Sequence, residues 1–173
     1  MPNALPAIAL CLVCLPIEAA LLPYVAGWGG AIAAARVDLA LCAVLWLAVG
    51  PAGVVEGALG AFACGALADL LYAVHPGLFT LLAMVLYTFA RVAAEPLDVR
   101  GPAGFAALCG MATLVEAVLA RGLLAVVGRP SPTAAWGGVV AGAALTAVAG
   151  AAAWRLLGWL SHALQREDPS LLR

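Results

Sequence analysis

The sequence predicts an all-α fold, a polytopic membrane bundle of about six transmembrane helices. Three observations carry that expectation. Of 173 residues, 66% are hydrophobic and 10% are charged, where a soluble domain carries about 25% charged residues. The mean hydropathy is +1.11. The apolar residues also fall into runs of about 20, the length that crosses a hydrocarbon core, separated by glycine- and proline-rich breaks. No stretch remains to fold as a separate aqueous domain, so residues 1–160 read as one transmembrane unit and 161–173 as a short polar tail. This excludes most soluble enzymes and any ordinary nucleotide-binding fold. A formal net charge of −1 gives no basic footprint for nucleic acid.

The first span is expected from about Leu5 to Gly27, broken by Pro16 and holding Glu18. It lacks the basic start and small-residue cleavage site of a signal peptide, so it reads as a retained span. The second reads Leu39 to Val49 and ends at Gly50-Pro51. Extended back through Ala31 it reaches full length, with Arg36 and Asp38 at the headgroups and Asp38 able to cap the helix. The third covers about Val54 to Val74, closed by His75-Pro76-Gly77, and the fourth Leu78 to Ala94. Glu95 to Pro102 reads as a loop, followed by a fifth span from about Ala103 to Val127 and a sixth from Ala134 to Leu160. Trp136 and Trp154 are ~27 Å apart along a helix, the spacing of aromatic anchors at two interfaces. Arg91, Arg100, Arg155, Arg166 and Arg173 fall on the side of the termini, and Arg36, Arg121 and Arg129 on the other, which favours cytoplasmic termini.

Charged groups inside spans merit scrutiny, because each costs ~2.5–3.5 kcal/mol at a helix centre on insertion scales. Glu116 sits midway along the fifth span and Glu18 near the middle of the first. Arg121 is ~140° round the helix from Glu116. These three could form an ion path or a substrate anchor, but the favoured reading is structural: an inter-helix pair of Arg121 with Glu18 or Glu116, or a protonated carboxyl hydrogen-bonded to a backbone carbonyl. On the third span Gly53, Gly57, Gly60, Cys64 and Ala68 form a stripe of small residues that suits close helix packing, which makes this span the expected packing centre. Gly65 and Asp69 fall on another side, where Asp69 is free to reach water, pair with Arg36 or meet a partner. The sixth span repeats the device with Gly138, Gly142, Ala149, Ala152 and Ala153. The five cysteines, Cys11, Cys14, Cys42, Cys64 and Cys109, lie in apolar runs and read as small hydrophobes. There is no P-loop, His75 and His162 have no ligand neighbours, and no nucleophile with a base is evident, so neither enzyme chemistry nor a cofactor is expected.

Three stretches together carry a resemblance: Ala35 to Leu41, Gly57 to Leu71, and Pro76-Gly77-Leu78. They resemble the rod shape-determining MreD family. Its members open the second helix with an Arg-Pro-Asp/Asn element and end a glycine-rich third helix in Gly-Leu-x-x-Asp-Leu, followed by a Gly-Leu turn. Here Arg36-Val37-Asp38 lacks the central proline, and Gly65-Ala66-Leu67-Ala68-Asp69-Leu70 shifts the leucine by one place. The motifs cover about a quarter of the chain, and the span layout extends the likeness over the whole. Glu116 also resembles an acid that some members carry in the fifth helix.

The resemblance implies a non-enzymatic bacterial inner-membrane protein with cytoplasmic termini, acting in lateral peptidoglycan synthesis. It implies binding to the membrane anchor of MreC, alongside MreB, RodA and a class B transpeptidase. Arg36, Asp38 and Asp69 then mark one membrane face as the docking region. The family's helix arrangement is also similar to vitamin-binding subunits of energy-coupling-factor transporters, which makes a small-molecule binder the alternative. That alternative calls for an Ala-x-x-x-Ala motif in the first helix and a pocket of converging polar groups, neither of which the sequence supplies.

Overall fold

A computed structural model describes residues 5–26, 37–50, 53–72, 77–97, 99, 101–126, 128 and 136–166. The described residues form six helices and no strand: α1 (Leu5–Ala26), α2 (Leu39–Val49), α3 (Val54–Tyr72), α4 (Leu78–Leu97), α5 (Pro102–Val126) and α6 (Trp136–Arg166). Stretches of α3, α5 and α6 are long and apolar enough to cross a membrane, namely Val54–Leu71, Pro102–Val126 and Trp136–Leu160. Shorter apolar stretches occur in the others, at Ala7–Ile17, Leu39–Val49 and Leu78–Ala94.

The centre of the bundle is α2, not α3. It contacts all five other helices, and Leu41 to Ala48 are buried without exception. A helix apolar on every side gains most where protein surrounds it. It is also short, about 16 Å along its axis. Its start is fixed by Asp38, which has extended backbone angles and accepts a hydrogen bond from the Leu41 N–H at 2.7 Å. Val37 and Asp38 are not helical, so α2 begins at Leu39, and the expected extension from Ala31 to Arg36 lies outside the described residues. Asp38 is also engaged from α6. Its own N–H donates to Thr146 Oγ1 at 3.2 Å, and Thr146 lies ten residues into α6, near the middle of that helix's apolar stretch. Eight residues further along both helices, Trp46 meets Trp154. α2 therefore runs parallel to α6, from its middle towards its C-terminal end.

Several expected boundaries shift. α1 continues through Pro16, since the carbonyl that proline frees can find another donor inside a bundle. Glu95, Pro96 and Leu97 close α4 as its last turn and are not loop. α5 starts with Pro102 as its first residue, where a missing N–H costs nothing, and Gly101 accepts the first helical bond from Phe105. α6 runs through Ser161 to Arg166, which were read as tail. The loop at 27–30, the His75-Pro76 turn and residues 167–173 lie outside the described residues.

Two helix pairs carry the most extensive contacts, α5 with α6 and α3 with α4. In the first, small residues interlock. A side chain on Gly150 would begin 2.7 Å from Cys109 Sγ, and one on Gly110 would begin 3.4 Å from Ala147 Cβ. On α6, Gly138, Gly142 and Ala153 are buried, but Ala149 is half-buried and Ala152 exposed, so the packing face is turned from the expected stripe towards Ala143, Thr146 and Gly150. Trp154 also departs from expectation. It joins Trp46 and Phe105 in an aromatic cluster, with ring centroids 5.0 and 5.2 Å away, while Trp136 stays exposed.

Candidate functional site: the α3–α4 joint and the ends of α2

Several polar side chains of this bundle act at helix ends. At the joint between α3 and α4, Gly77 has φ +88, a conformation that glycine adopts without strain. Its carbonyl accepts the first bond of α4 from Leu81, at 3.0 Å. A glycine in that position has no side chain with which to cap the next two N–H groups. Asp69 supplies the cap from α3. Its Oδ1 accepts from Phe79 N at 2.9 Å, and its Oδ2 accepts from Thr80 N at 3.0 Å and from Thr80 Oγ1 at 2.5 Å. The second and third N–H groups of a helix are the ones an N-cap normally serves, and negative charge there also complements the helix dipole. Asp69 is thus a cap delivered across the helix interface, not a group left free for solvent.

Gly65 makes that reach possible. It lies four residues before Asp69 and so on the same face of α3. A side chain there would begin 2.6 Å from Thr80 Cα and 3.0 Å from both Ala83 Cβ and the Phe79 carbonyl oxygen. The bare backbone of α3 lies against the first turn of α4, and one turn later the carboxylate reaches the orphan donors. Gly57 does the same at the other end of the pair, where a side chain would begin 2.7 Å from Tyr87 Oη and 2.8 Å from the Leu47 carbonyl oxygen. Tyr87 Oη there donates to the Val54 carbonyl at 2.9 Å.

The expected stripe on α3 is placed as follows. Gly57, Gly60, Cys64 and Ala68 are buried, together with Ala61 and Gly65. Gly53 is exposed, with nothing within 4 Å of where its side chain would begin. Each of the two carboxylates is engaged at a helix start, Asp38 at that of α2 and Asp69 at that of α4. Arg36 lies outside the described residues. Glu116 and Arg121 are both half-buried on α5. The Arg121 guanidinium stacks over the Trp136 ring, 4.2 Å from its centroid. The Glu18 side chain lies outside the described residues, so the proposed Arg121–Glu18 pair does too.

Three residues here were not singled out from the sequence. Arg91 donates from Nη1 to the Ala48 carbonyl at 2.8 Å, binding α4 to the C-terminal end of α2. Thr146 is wholly buried and receives the Asp38 N–H. Tyr87 ties α4 to the start of α3. The usable signal was the rarity of polar side chains within apolar runs. Cys11, Cys42, Cys64 and Cys109 are buried and Cys14 is half-buried, none of them in a disulfide. Among the described residues no group of three or more His, Cys, Asp or Glu could hold a metal ion. Comparison with known proteins found no matching family model, no matching curated protein and no matching solved structure.

Proposed function

We propose that this chain is a non-enzymatic membrane scaffold of the cell-elongation complex, of the MreD kind, which maintains rod shape by binding an MreC-like membrane-anchored protein. On this reading it crosses the bacterial inner membrane six times with both termini in the cytoplasm, and works beside MreB, RodA and a class B transpeptidase. One observation carries the proposal. Of the residues that bear the resemblance, Gly65, Asp69, Gly77 and Leu78 build the α3–α4 joint. Asp69, Tyr87 and Arg91 bind helix ends, which suits a rigid docking body.

The test is removal and capture. Deleting the chain from its host bacterium is expected to turn rods into spheres, and the tagged full chain is expected to co-purify an MreC-like protein. Deletion cells that stay rod-shaped would overturn the reading. A vitamin retained by the purified chain would move it to the transporter subunit.

A further inference from the structure

The packing faces of α1 and α3 bring two thiols together. Ala7, Cys11 and Leu15 recur once per helical turn and form the buried side of α1. Ala61, Cys64 and Ala68 do the same on α3. Cys11 is 0% exposed and Cys64 is 2% exposed, and their side chains are hydrogen-bonded to each other across the interface. The alanines before and after them let the two backbones approach closely enough for that contact. Both thiols stand near the middle of their apolar stretches, Ala7–Ile17 and Val54–Leu71.

A third thiol links this pair to the outside of the bundle. Cys14 follows Cys11 by three residues, a spacing that sets helical α-carbons about 5 Å apart. A disulfide closes over roughly 4.4–6.8 Å between α-carbons, so Cys11 and Cys14 are within range of one another. Cys14 is half-buried, and its neighbours Val13 and Ile17 are 59% and 52% exposed. A molecule dissolved among lipid chains can therefore meet the Cys14 sulfur, while the Cys11 and Cys64 sulfurs are closed to it. The apolar setting also selects the chemistry. A cuprous ion on two thiolates would leave a net negative charge among apolar side chains, whereas a disulfide is neutral.

We propose that Cys14, Cys11 and Cys64 form a thiol relay that is oxidised by a lipid-soluble quinone and ends in a Cys11–Cys64 disulfide. In the first step the S–H bonds of Cys14 and Cys11 break and an S–S bond forms between them. The two electrons and two protons pass to the quinone oxygens, giving the quinol. In the second step the Cys64 sulfur attacks the Cys11 sulfur and the Cys11–Cys14 bond breaks. The Cys64 proton goes to the departing Cys14 sulfur. Two thiols and one quinone thus become one disulfide and one quinol, with no charged product in the apolar layer. Quinones supply oxidising power to protein thiols in bacterial envelopes, so the acceptor is chemically competent. The product ties α1 to α3 one residue before Gly65, on the helix that carries Asp69.

The experiment uses the full chain, reduced and kept without oxygen in phosphatidylcholine nanodiscs, with decylubiquinone as the probe. One equivalent is expected to become quinol, read by absorbance, and thiols open to maleimide after denaturation to fall from five to three. Trypsin cuts after Arg36 and so separates Cys11 and Cys14 from Cys42 and Cys64. The two fragments are expected to stay joined until a reductant is added, with maleimide on Cys14 and Cys42 and none on Cys11. Cys42→Ala, which leaves Cys64 as the one thiol of its fragment, is expected to stay joined. Cys64→Ala is expected to separate while still losing two thiols, and Cys14→Ala to consume no quinone. Five reactive thiols, fragments that part without reductant, or maleimide on Cys11 in the joined product would overturn the proposal, and each is read on the unsubstituted chain. So would a quinone adduct on the chain, or oxidation at the same rate with oxygen in place of the quinone.

Discussion

Replacing Gly65 by alanine adds one methyl group at the place where α3 and α4 are closest. That methyl would begin 2.6 Å from Thr80 Cα, about 1 Å short of the ~3.5 Å at which carbon atoms rest. The obstacle is backbone, so no rotamer change relieves it and the two helices must part. Overpacking of this kind costs ~1–3 kcal/mol. A shift of that size also takes the Asp69 bonds to Phe79 and Thr80, now 2.9 and 3.0 Å, beyond hydrogen-bond range, and losing an N-cap costs ~1 kcal/mol more. The expected total is ~2–4 kcal/mol, or roughly 5–15 °C in Tm for a chain of this size. Gly122→Ala is the control, since Gly122 is an exposed helical glycine with nothing within 4 Å of the new methyl, and there alanine should stabilise by ~0.5–1 kcal/mol. Thermal unfolding of the detergent-purified chain, followed by loss of the monodisperse peak, measures both. Adding Asp69→Ala to Gly65→Ala should cost little beyond the single change, because the cap is already broken. Equal stability of Gly65→Ala and Gly122→Ala would refute the close approach. Full additivity with Asp69→Ala would refute the coupling of approach to cap.

Two further outcomes are expected. Thr146→Val should cost ~1–3 kcal/mol by leaving the Asp38 N–H without its acceptor inside the bundle, and Thr146→Ser should recover most of it; amide exchange at residues 38–42 reads the loosened helix start. Arg121→Leu and Trp136→Leu should couple by ~0.5–1 kcal/mol in a double-mutant cycle of folded stability, and a coupling near zero would remove the stacked pair.

The helix count was legible because Gly, Pro and Asp punctuate apolar runs whatever surrounds them. Asp38 was readable as a cap for the same local reason, and the structure places its carboxylate on the Leu41 N–H. What could not be read was which side of each helix faces protein. In water, an apolar stripe points inward; in a membrane, lipid and protein interior are equally apolar, and periodicity loses that meaning. Reading α3 by its smallest residues located one packing face, through Gly57, Gly60, Cys64 and Ala68, and stopped there. α3 has a second neighbour in α4, so its buried arc widens to include Gly65 and carries Asp69 to the edge of that contact. Trp154 met the spacing rule for an interface anchor, yet Trp46 and Phe105 give it partners that no spacing reveals.

Polar residues carry the information that the apolar pattern lacks. A backbone donor at a helix start inside a bilayer has no water to turn to, so another helix must bring an acceptor to it. Asp69 and Thr146 are acceptors brought from another helix, one for the first turn of α4 and one for Asp38 ahead of α2. Arg91 is the complement, a donor brought to the carbonyls at the far end of α2. Each fixes the depth of one helix against another as well as its contact, because the cap works only when the side chain and the helix end are level. The short α2 shows the consequence. Its two ends are held by α6 and α4 at depths it does not itself determine, and its apolar flanks are free to fill whatever space those helices leave. A substitution that removes one of these polar ties should therefore change register between helices before it changes helix content. Near-constant far-ultraviolet circular dichroism, alongside altered disulfide trapping between paired cysteines introduced on α2 and α6, would be the mark of Thr146→Val. A proportionate loss of helix signal would mean instead that the tie supports α2 itself.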